Sequence, residues 1–308
     1  MGQIISIMGK AANPATVSGG TGNYGNPFQF GLPDGIFLVT NGYAIPSTQD
    51  VTKAFLISKV KDGTIIPLLD AYNFEPINED DVLETSNTGV NSLARKGLTS
   101  LKFTFKKGVE FEKAMEALLS YGNFDVWIID KAGNFLGVDI QGAFGGFTGG
   151  LVLPKAKMWN DGSVSEGKSI EVQLTQPGEF KQMTWIEADR LDFFAPTEID
   201  GINNAKLSFA TALAQVPPAN LDTTVNIGVF ANDGVTPVTG LATGDFRSNT
   251  HAVSAVVEDG AGYYTLTVAA IATADEVTIE IYDVAGSVAT VNVADILFSG
   301  SISATAIA

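Results

Sequence analysis

The clearest alternation of hydrophobic and polar positions lies in the middle of the chain, over residues 101–188. Leu101, Phe103 and Phe105 alternate with polar residues, which is the period-2 pattern of a strand with one buried face. From Val109 to Tyr121 apolar residues recur three and four positions apart, and glutamates stand in the first turn, where the helix dipole favours negative charge. The pattern predicts a strand followed by an amphipathic helix.

The same region continues with segments of strand and turn composition. Aromatic and β-branched residues predict strands, and glycine- or asparagine-containing stretches between them predict turns. In chain order these are a strand Phe124–Ile129, a turn Lys131–Asn134, a strand Phe135–Ile140, two arms of a long hairpin at Leu151–Met158 and Ser169–Thr175, and a strand Met183–Ala188. Between them, Gln141–Gly150 holds five glycines, which predicts either a mobile loop or a close approach of backbones.

Two hairpins are predicted before residue 70. Asn-Gly and Asp-Gly dipeptides favour two-residue hairpin turns because they accept positive φ. The first hairpin pairs Ile36–Thr40 with Tyr43–Ile45 around Asn41-Gly42, and the second pairs Ala54–Val60 with Thr64–Leu69 around Asp62-Gly63.

The composition changes near residue 198, where Pro196–Gly201 has the composition of a linker. The residues from 200 onward carry two basic against eleven acidic side chains, a net charge of −9 within the total of −16. Five short strands are predicted there, at Thr224–Phe230, Ala252–Glu258, Tyr263–Ala269, Glu276–Tyr282 and Ser287–Val293. This rhythm predicts a second domain, an immunoglobulin-like β-sandwich over residues 199–308, after a first domain over residues 1–198. The last ten residues, Ser299–Ala308, are expected to be a free tail or an arm docked on a neighbour.

The low charge density and the acidic balance limit the classes of partner. Only 17% of residues are charged while 45% are hydrophobic. Such a surface is typical of a subunit covered by its neighbours and equally of a β-rich protein coated with Thr, Ser and Asn. The net charge of −16 argues against general affinity for nucleic acid or anionic membranes. An acidic channel wall would allow DNA to pass without binding to it.

Most enzyme and metal chemistry lacks the necessary residues. The chain has no cysteine, which excludes disulfides and thiolate metal sites, and it has one histidine, His251, in a polar turn. No Gly-x-Ser-x-Gly elbow accompanies that histidine. No segment approaches 18 apolar residues, so no membrane span is predicted. Met1–Ser6 matches the pattern for N-myristoylation, and Gly19–Gly25 is glycine-rich without the Lys-Ser/Thr of a phosphate loop.

The remaining candidates each have a structural alternative. Asp125 and Asp130 flank the strand of Trp127 and are the least arbitrary carboxylate pair for glycoside hydrolysis, although charged residues often lie at strand ends simply to be solvated. Trp127, Trp159 and Trp185 could stack on sugars or anchor a core or interface. Asn78–Glu84 is the densest acidic cluster, a calcium site or a solvated loop. Lys102, Lys106 and Lys107 could contact nucleic acid or form a polar strand face. No catalytic, cofactor-binding or metal-binding residue is assigned.

The order strand, amphipathic helix, strand, long hairpin resembles that of phage tail-tube proteins and the related Hcp-like tube subunits of contractile injection systems. The residues that carry the resemblance are Leu101–Phe105, Val109–Tyr121, Phe124–Ile129 and Leu151–Leu174, within residues 30–190. The resemblance implies a mainly β protein, a β-sandwich or barrel with one flanking α-helix that forms hexameric rings. In that family the rings stack into a tube through loops and terminal arms. An immunoglobulin-like domain on the tube exterior is a known addition, and residues 200–296 resemble one.

The expected function is therefore a structural protein of the virion, the tail tube subunit whose stacked hexameric rings form the channel for DNA. Its expected partners are copies of itself, other tail proteins of the virion and DNA in transient passage, and no enzymatic activity is expected. One alternative is a capsid or tail surface decoration or adhesin that binds host glycans through the second domain. The other is a carbohydrate-active enzyme that uses carboxylates.

Overall fold

The computed structural model describes residues 5–6, 29–85, 91–120, 122–160, 166–210, 223–249, 251–269, 271–272 and 275–306. The chain divides into two compact units, the first formed by Met1–Leu56 and Thr64–Ile199 and the second by Ile57–Gly63 and Asp200–Ala308. Both units are built mainly of strands, which confirms the predicted mainly β class.

The first half of the chain holds fourteen described strands. In chain order they are β1 (Ile5–Ser6), β2 (Pro33–Thr40), β3 (Ala44–Pro46), β4 (Ile65–Leu68), β5 (Asn73–Asn78), β6 (Val82–Thr85), β7 (Asn91–Arg95), β8 (Thr99–Phe105), β9 (Asn123–Asp130), β10 (Phe135–Ile140), β11 (Ala143–Gly145), β12 (Phe147–Pro154), β13 (Lys168–Leu174) and β14 (Met183–Ile186). The helices are α1 (Lys53–Lys61), α2 (Val109–Ala117) and α3 (Ala195–Glu198), with short 3-10 helices at Leu118–Ser120, Pro177–Gln182 and Ala188–Arg190.

Strand β9 is the centre of the first unit. One of its edges pairs along its length with β2, from Pro33 opposite Asp130 to Thr40 opposite Phe124. Its other edge is shared, since the beginning of β9 pairs with β12 and its end pairs with β10. Both faces are buried, because every described side chain from Phe124 to Asp130 is inaccessible or nearly so. This two-sided burial explains why the sequence of β9 is a continuous apolar run rather than an alternation.

Strand β12 carries the sheet from one layer to the other. Its beginning pairs with β9 and its end pairs with β13, and both ladders shift register near Gly149 and Gly150. A Cβ atom on Gly149 would lie 2.1 Å from the carbonyl oxygen of Phe124, so the backbones approach too closely for any other residue. Of the two predictions for this glycine-rich stretch, close backbone approach is therefore correct.

The core of the first unit lies between these layers. Residues of β8 and β13, including Phe103 and Val172, face residues of β2 and β9, including Leu38 and Val126. Helix α2 adds Met115 to the same core, so the predicted strand and amphipathic helix are confirmed. The ladder between β12 and β13 confirms the predicted long hairpin.

Helix α1 stands where the second hairpin was predicted, so that prediction is wrong. Leu56, Ile57 and Val60 are buried, and their spacing of one, three and four positions fits one face of a helix. The Thr52 hydroxyl accepts a hydrogen bond from the Phe55 N–H at 3.2 Å, as an N-cap does. Gly63 has φ of +75° just beyond the last turn. The Asp-Gly dipeptide thus ends a helix instead of closing a hairpin.

The first predicted hairpin is also wrong, although its turn forms. Tyr43 N–H donates to the Thr40 carbonyl, and Gly42 has φ of +77°. Strand β3, however, pairs with β11 and not with β2. Because β4 and β9 already occupy both edges of β2, no edge remains for β3.

The second half of the chain forms a sandwich of two sheets. Its strands are β15 (Ile202–Asn204), β16 (Lys206–Phe209), β17 (Thr223–Phe230), β18 (Phe246–Ser248), β19 (Val253–Gly260), β20 (Tyr263–Val268), β21 (Glu276–Ile281), β22 (Val291–Val293) and β23 (Ile296–Thr305), with a 3-10 helix at Thr243–Asp245. One sheet has the order β16-β17-β20-β19, and the other has the order β15-β23-β21-β18 with β22 beside β23. Alternate residues of both sheets, such as Ile227, Leu266 and Ile279, share one core.

The predicted C-terminal tail is instead a strand of this sandwich. Strand β23 pairs with β21 from Ile281 opposite Gly300 to Glu276 opposite Thr305, and Ala306 is buried. The expectation of a free tail or a docked arm is therefore wrong. Small side chains alternate along this strand, and their weak hydrophobicity hid the period-2 pattern.

The corner at Gly149 provides a test of this architecture. We expect Gly149→Ala to destabilise the first unit by about 2–4 kcal/mol, because the added Cβ must displace backbone rather than a flexible side chain. Thermal unfolding followed by tryptophan fluorescence reports on this unit alone, since all three tryptophans precede Ile199.

The matched control is Gly178→Ala, where an added Cβ would contact nothing within 4 Å. It should leave the unfolding temperature almost unchanged. Equal unfolding temperatures for the two variants would contradict the close approach at the corner.

Candidate functional site

Strand β5 forms one end of the large sheet of the first unit. It pairs with β8 from Asn73 opposite Thr104 to Asn78 opposite Thr99, and no described strand pairs with its other edge. Phe74 packs on Phe103 with ring centroids 4.9 Å apart, which anchors the strand to the core. Pro76 lies in this strand, as is usual for proline in sheets, because an edge tolerates a missing N–H. The edge is open to pairing with another strand.

An exposed hairpin, β6 and β7, continues from the end of the β5–β8 ladder. Strands β6 and β7 pair with each other, and the Glu79 N–H donates to the Leu98 carbonyl at 2.9 Å to connect them to the β5–β8 ladder. A Cβ on Gly97 would lie 1.9 Å from the Glu79 carbonyl oxygen, so this glycine allows the two chains to close together. We call the described residues of this segment, 79–85 and 91–98, the hairpin extension.

The hairpin extension exposes aliphatic side chains on both of its strands. Val82, Leu83 and Leu93 are 45%, 57% and 55% exposed. Every described residue of β6 and β7 is exposed, so no described part of the chain packs on them. A two-stranded hairpin is marginal on its own in water. The aliphatic side chains of both strands are therefore open to solvent.

The outer face of the neighbouring strands carries paired charges beside the exposed aliphatic side chains of Ile77, Leu151 and Leu153. Lys102 Nζ lies 2.8 Å from Glu75 Oε2 across β8 and β5, and Lys155 Nζ lies 2.5 Å from Glu171 Oε2 across β12 and β13. The hydrogen bond from Lys155 holds the pKa of Glu171 below its usual value. These two pairs balance the charges of the face.

The acidic cluster Asn78–Glu84 lies at the base of the hairpin extension, where its side chains fasten the two strands. Glu79 is 3.3 Å from Arg95, and the Asp81 carboxylate accepts the Gly97 N–H at 2.8 Å. Among the described residues, no group of three or more acidic or histidine side chains could hold a metal ion. These contacts link the two strands at the base of the hairpin extension, which is a structural role for the cluster.

Asp125 is buried in β9 with incomplete hydrogen bonding. Its Oδ2 accepts the Gly42 N–H at 2.7 Å, while its Oδ1 is buried and has no hydrogen-bond partner among the described residues. Burial raises the pKa of Asp125, and the nearby Glu179 carboxylate raises it further. Glu179 itself accepts two hydrogen bonds from Thr148, the residue opposite Asp125 on β12.

Asp130 is also buried, but its carboxylate is fully used in building the turn after β9. It accepts hydrogen bonds of 2.9 Å from the backbone of Gly31, Ala132 and Asn134 and from the Asn134 side chain. Five residues of extended strand separate it from Asp125, which places the two about 16 Å apart and on opposite faces. Glycosidase carboxylates lie about 5–10 Å apart. The structure therefore does not bring Asp125 and Asp130 together as a catalytic pair.

The three tryptophans have different surroundings. Trp127 is fully buried beside Phe37 and Phe144, and Trp185 is nearly buried in β14. Trp159 is 74% exposed on the long hairpin, with Lys157 Nζ 4.9 Å from its ring centroid. Of the three predicted sugar platforms, only Trp159 is accessible.

The histidine and the lysines form structural contacts. His251 Nε2 lies 3.6 Å from Asp275 Oδ2. Lys106 Nζ lies 3.1 Å from the centre of the Tyr72 ring, and Lys107 lies 5.9 Å from that of Phe111. Together with Lys102, which pairs with Glu75, these lysines are separate contacts and not a basic patch.

The possible myristoylation pattern, except for Ile5 and Ser6, and the glycine-rich segment Gly19–Gly25 lie outside the described residues. Within the described part of the chain, no helix is long and apolar enough to cross a membrane.

Sequence reasoning missed the hairpin extension. Residues 84–100 contain mostly polar residues, and strand prediction depends on runs of apolar alternation. The detectable signal was the pair Val82-Leu83 together with Leu93, which places aliphatic residues on two polar segments joined by Asn and Gly.

Comparison with known proteins gives no relative: a scan against protein-family models and a search of curated proteins both found no match to this chain.

The environment of Asp125 predicts a pH-dependent effect of its replacement. A raised pKa in the folded state means that ionised Asp125 costs stability, and this cost is present above the folded pKa and disappears as the pH falls through it. We expect the unfolding free energy of Asp125→Asn, relative to wild type, to be more favourable at about pH 8 than at about pH 4. Denaturant unfolding followed by tryptophan fluorescence measures this difference.

Asp130→Asn is the control at the other end of the same strand. An amide cannot accept all four hydrogen bonds that Asp130 accepts, so this variant should lose about 2 kcal/mol or more at neutral pH. A difference for Asp125→Asn that does not change with pH would contradict the assigned environment of Asp125.

Proposed function

We propose that this chain is a structural subunit that assembles with copies of itself, and that its place is the tail tube of a phage virion. The proposal holds that hexameric rings stack into a channel that DNA crosses. Other tail proteins of the virion would contact the ends of the tube.

The hairpin extension is the observation that carries this proposal. It exposes Val82, Leu83 and Leu93 on strands that no described residue covers. A hairpin that is stable only when covered fits a subunit whose neighbour supplies the missing contact. Loops that extend from one ring to the next are a feature of the tube proteins that the central region of this chain resembles.

The open edge of β5 supports lateral assembly in the same way. Its backbone groups are available to a strand of a second copy, and main-chain pairing is a common way to join subunits. The proline in this strand limits the length of any such ladder, which favours a defined contact over unlimited strand addition.

The electrostatics suit a channel for DNA. The net charge of −16 repels phosphate, and the paired Lys102–Glu75 and Lys155–Glu171 contacts leave no free cation on the outer face of β5, β8, β12 and β13 to retain it. A channel wall must be hydrated without binding the nucleic acid that crosses it.

Replacement of the exposed leucines tests the proposal. We expect Leu83→Glu with Leu93→Glu to abolish ring or tube formation while the unfolding temperature of the first unit stays within a few degrees of wild type. Sedimentation velocity over a range of concentrations measures the assembly.

Val235→Glu is the matched control, because Val235 is 76% exposed in a turn of the second half of the chain. It should assemble as wild type does. Wild-type protein that remains monomeric at all concentrations, with and without a nucleating tail component, would contradict the proposal.

A further inference from the structure

The outer face of the sheet β16-β17-β20-β19 combines an exposed aromatic ring with a row of polar groups. Strand alternation directs Val225, Ile227 and Val229 into the core, and it directs Asn226 and Gly228 outward. The outward residues of the neighbouring strands follow from the register and include Ser208, Tyr263, Thr265 and Val257.

Tyr263 is held on this face as a flat platform. It lies between two glycines in the register, Gly228 on β17 and Gly260 on β19. A Cβ on Gly228 would lie 3.2 Å from the Tyr263 ring and 2.9 Å from that of Phe230. Phe230 meets Tyr263 edge to face, with centroids 5.5 Å apart at 81°. These contacts fix the ring while Tyr263 remains 44% exposed.

A hydrogen-bonded row runs beside the ring across three strands. Thr265 Oγ1 lies 2.8 Å from Asn226 Oδ1 and 2.6 Å from Asp259 Oδ2. A hydroxyl has one proton, which these two acceptors share. This arrangement turns the Asn226 amide NH₂, a donor, and the second Asp259 oxygen, an acceptor, toward a ligand at the surface.

The charge around the platform favours an uncharged ligand. Residues 200–308 contain only two basic side chains, and Arg247 is bound to Glu280. Lys206 lies at the Phe230 end of the face and interacts with Asp233. An anionic ligand would thus meet a surface with a net charge of −9 and no free cation among the described residues.

We propose that this face binds a neutral oligosaccharide, with one pyranose ring stacked on Tyr263, one hydroxyl group accepting from the Asn226 amide NH₂ and another donating to Asp259. The C–H face of a pyranose is apolar and matches a flat aromatic ring, while its equatorial hydroxyls can both donate and accept hydrogen bonds at the ring edge. The residues of this site are different from those of the hairpin extension and the β5 edge, on which the proposed assembly rests.

Binding to a panel of neutral hexasaccharides of glucose, galactose, mannose and N-acetylglucosamine tests the proposal. Saturation-transfer NMR identifies the binding members with the full chain, and calorimetry gives the affinity. A single-ring platform predicts a Kd of about 1 mM. We expect Tyr263→Ala to weaken binding about tenfold and Tyr263→Phe to keep it, because stacking needs the ring and not its hydroxyl.

Two further variants distinguish loss of a ligand contact from loss of folding. Asn226→Ala removes the amide donor and should weaken binding severalfold, with the unfolding temperature as the test of folding. Tyr72→Ala removes an even more exposed tyrosine of the first unit, 68% against 44%, and should bind as wild type. Absence of binding to all four saccharides at about ten times that Kd, or equal binding by Tyr263→Ala and wild type, would overturn the proposal.

Discussion

The first unit depends on one constraint, which is that β9 must be paired on both edges and buried on both faces. Both edges of β9 are paired, because β12 and β10 share one edge and β2 pairs with the other. Both faces are buried, by the core of β8, β13 and α2 on one side and the Trp127 cluster on the other. The Gly149 corner exists because β12 has to leave β9 to reach β13. The bent, two-layered sheet follows from these requirements.

Because the strands of the interior are paired and packed, the groups that could contact a partner or ligand lie at the surface. The two buried acids of β9 serve the local structure: Asp130 holds the turn after the strand, and Asp125 accepts the Gly42 N–H through Oδ2, while its Oδ1 has no hydrogen-bond partner among the described residues. The features exposed at the surface are an open edge at β5, an aliphatic hairpin extension and an aromatic platform at Tyr263. Edges and exposed apolar side chains are common means of association, which is why we propose assembly as the function.

The sequence predicted the elements whose local pattern agrees with their tertiary surroundings. The alternation of Leu101–Phe105 and the helical spacing after Val109 both led to the observed strand and helix. The predictions were wrong where a short sequence motif fits two different structures. Asp62-Gly63 suits a helix end as well as a hairpin, and only the buried face of α1 distinguishes them. The partner of β3 and the strand β23 depend on long-range pairing that no local pattern encodes. The open edge of β5 and the platform at Tyr263 also require the register, so neither could be placed in advance.

The central claim is that the chain functions by pairing with copies of itself in a closed ring. Cryo-electron microscopy of the purified full chain, and of the particle that contains it, tests this claim most directly. The account predicts stacked sixfold rings in which the hairpin extension contacts the adjacent ring and β5 lies at a subunit boundary. Particles in which the extension and the β5 edge both face solvent would contradict it.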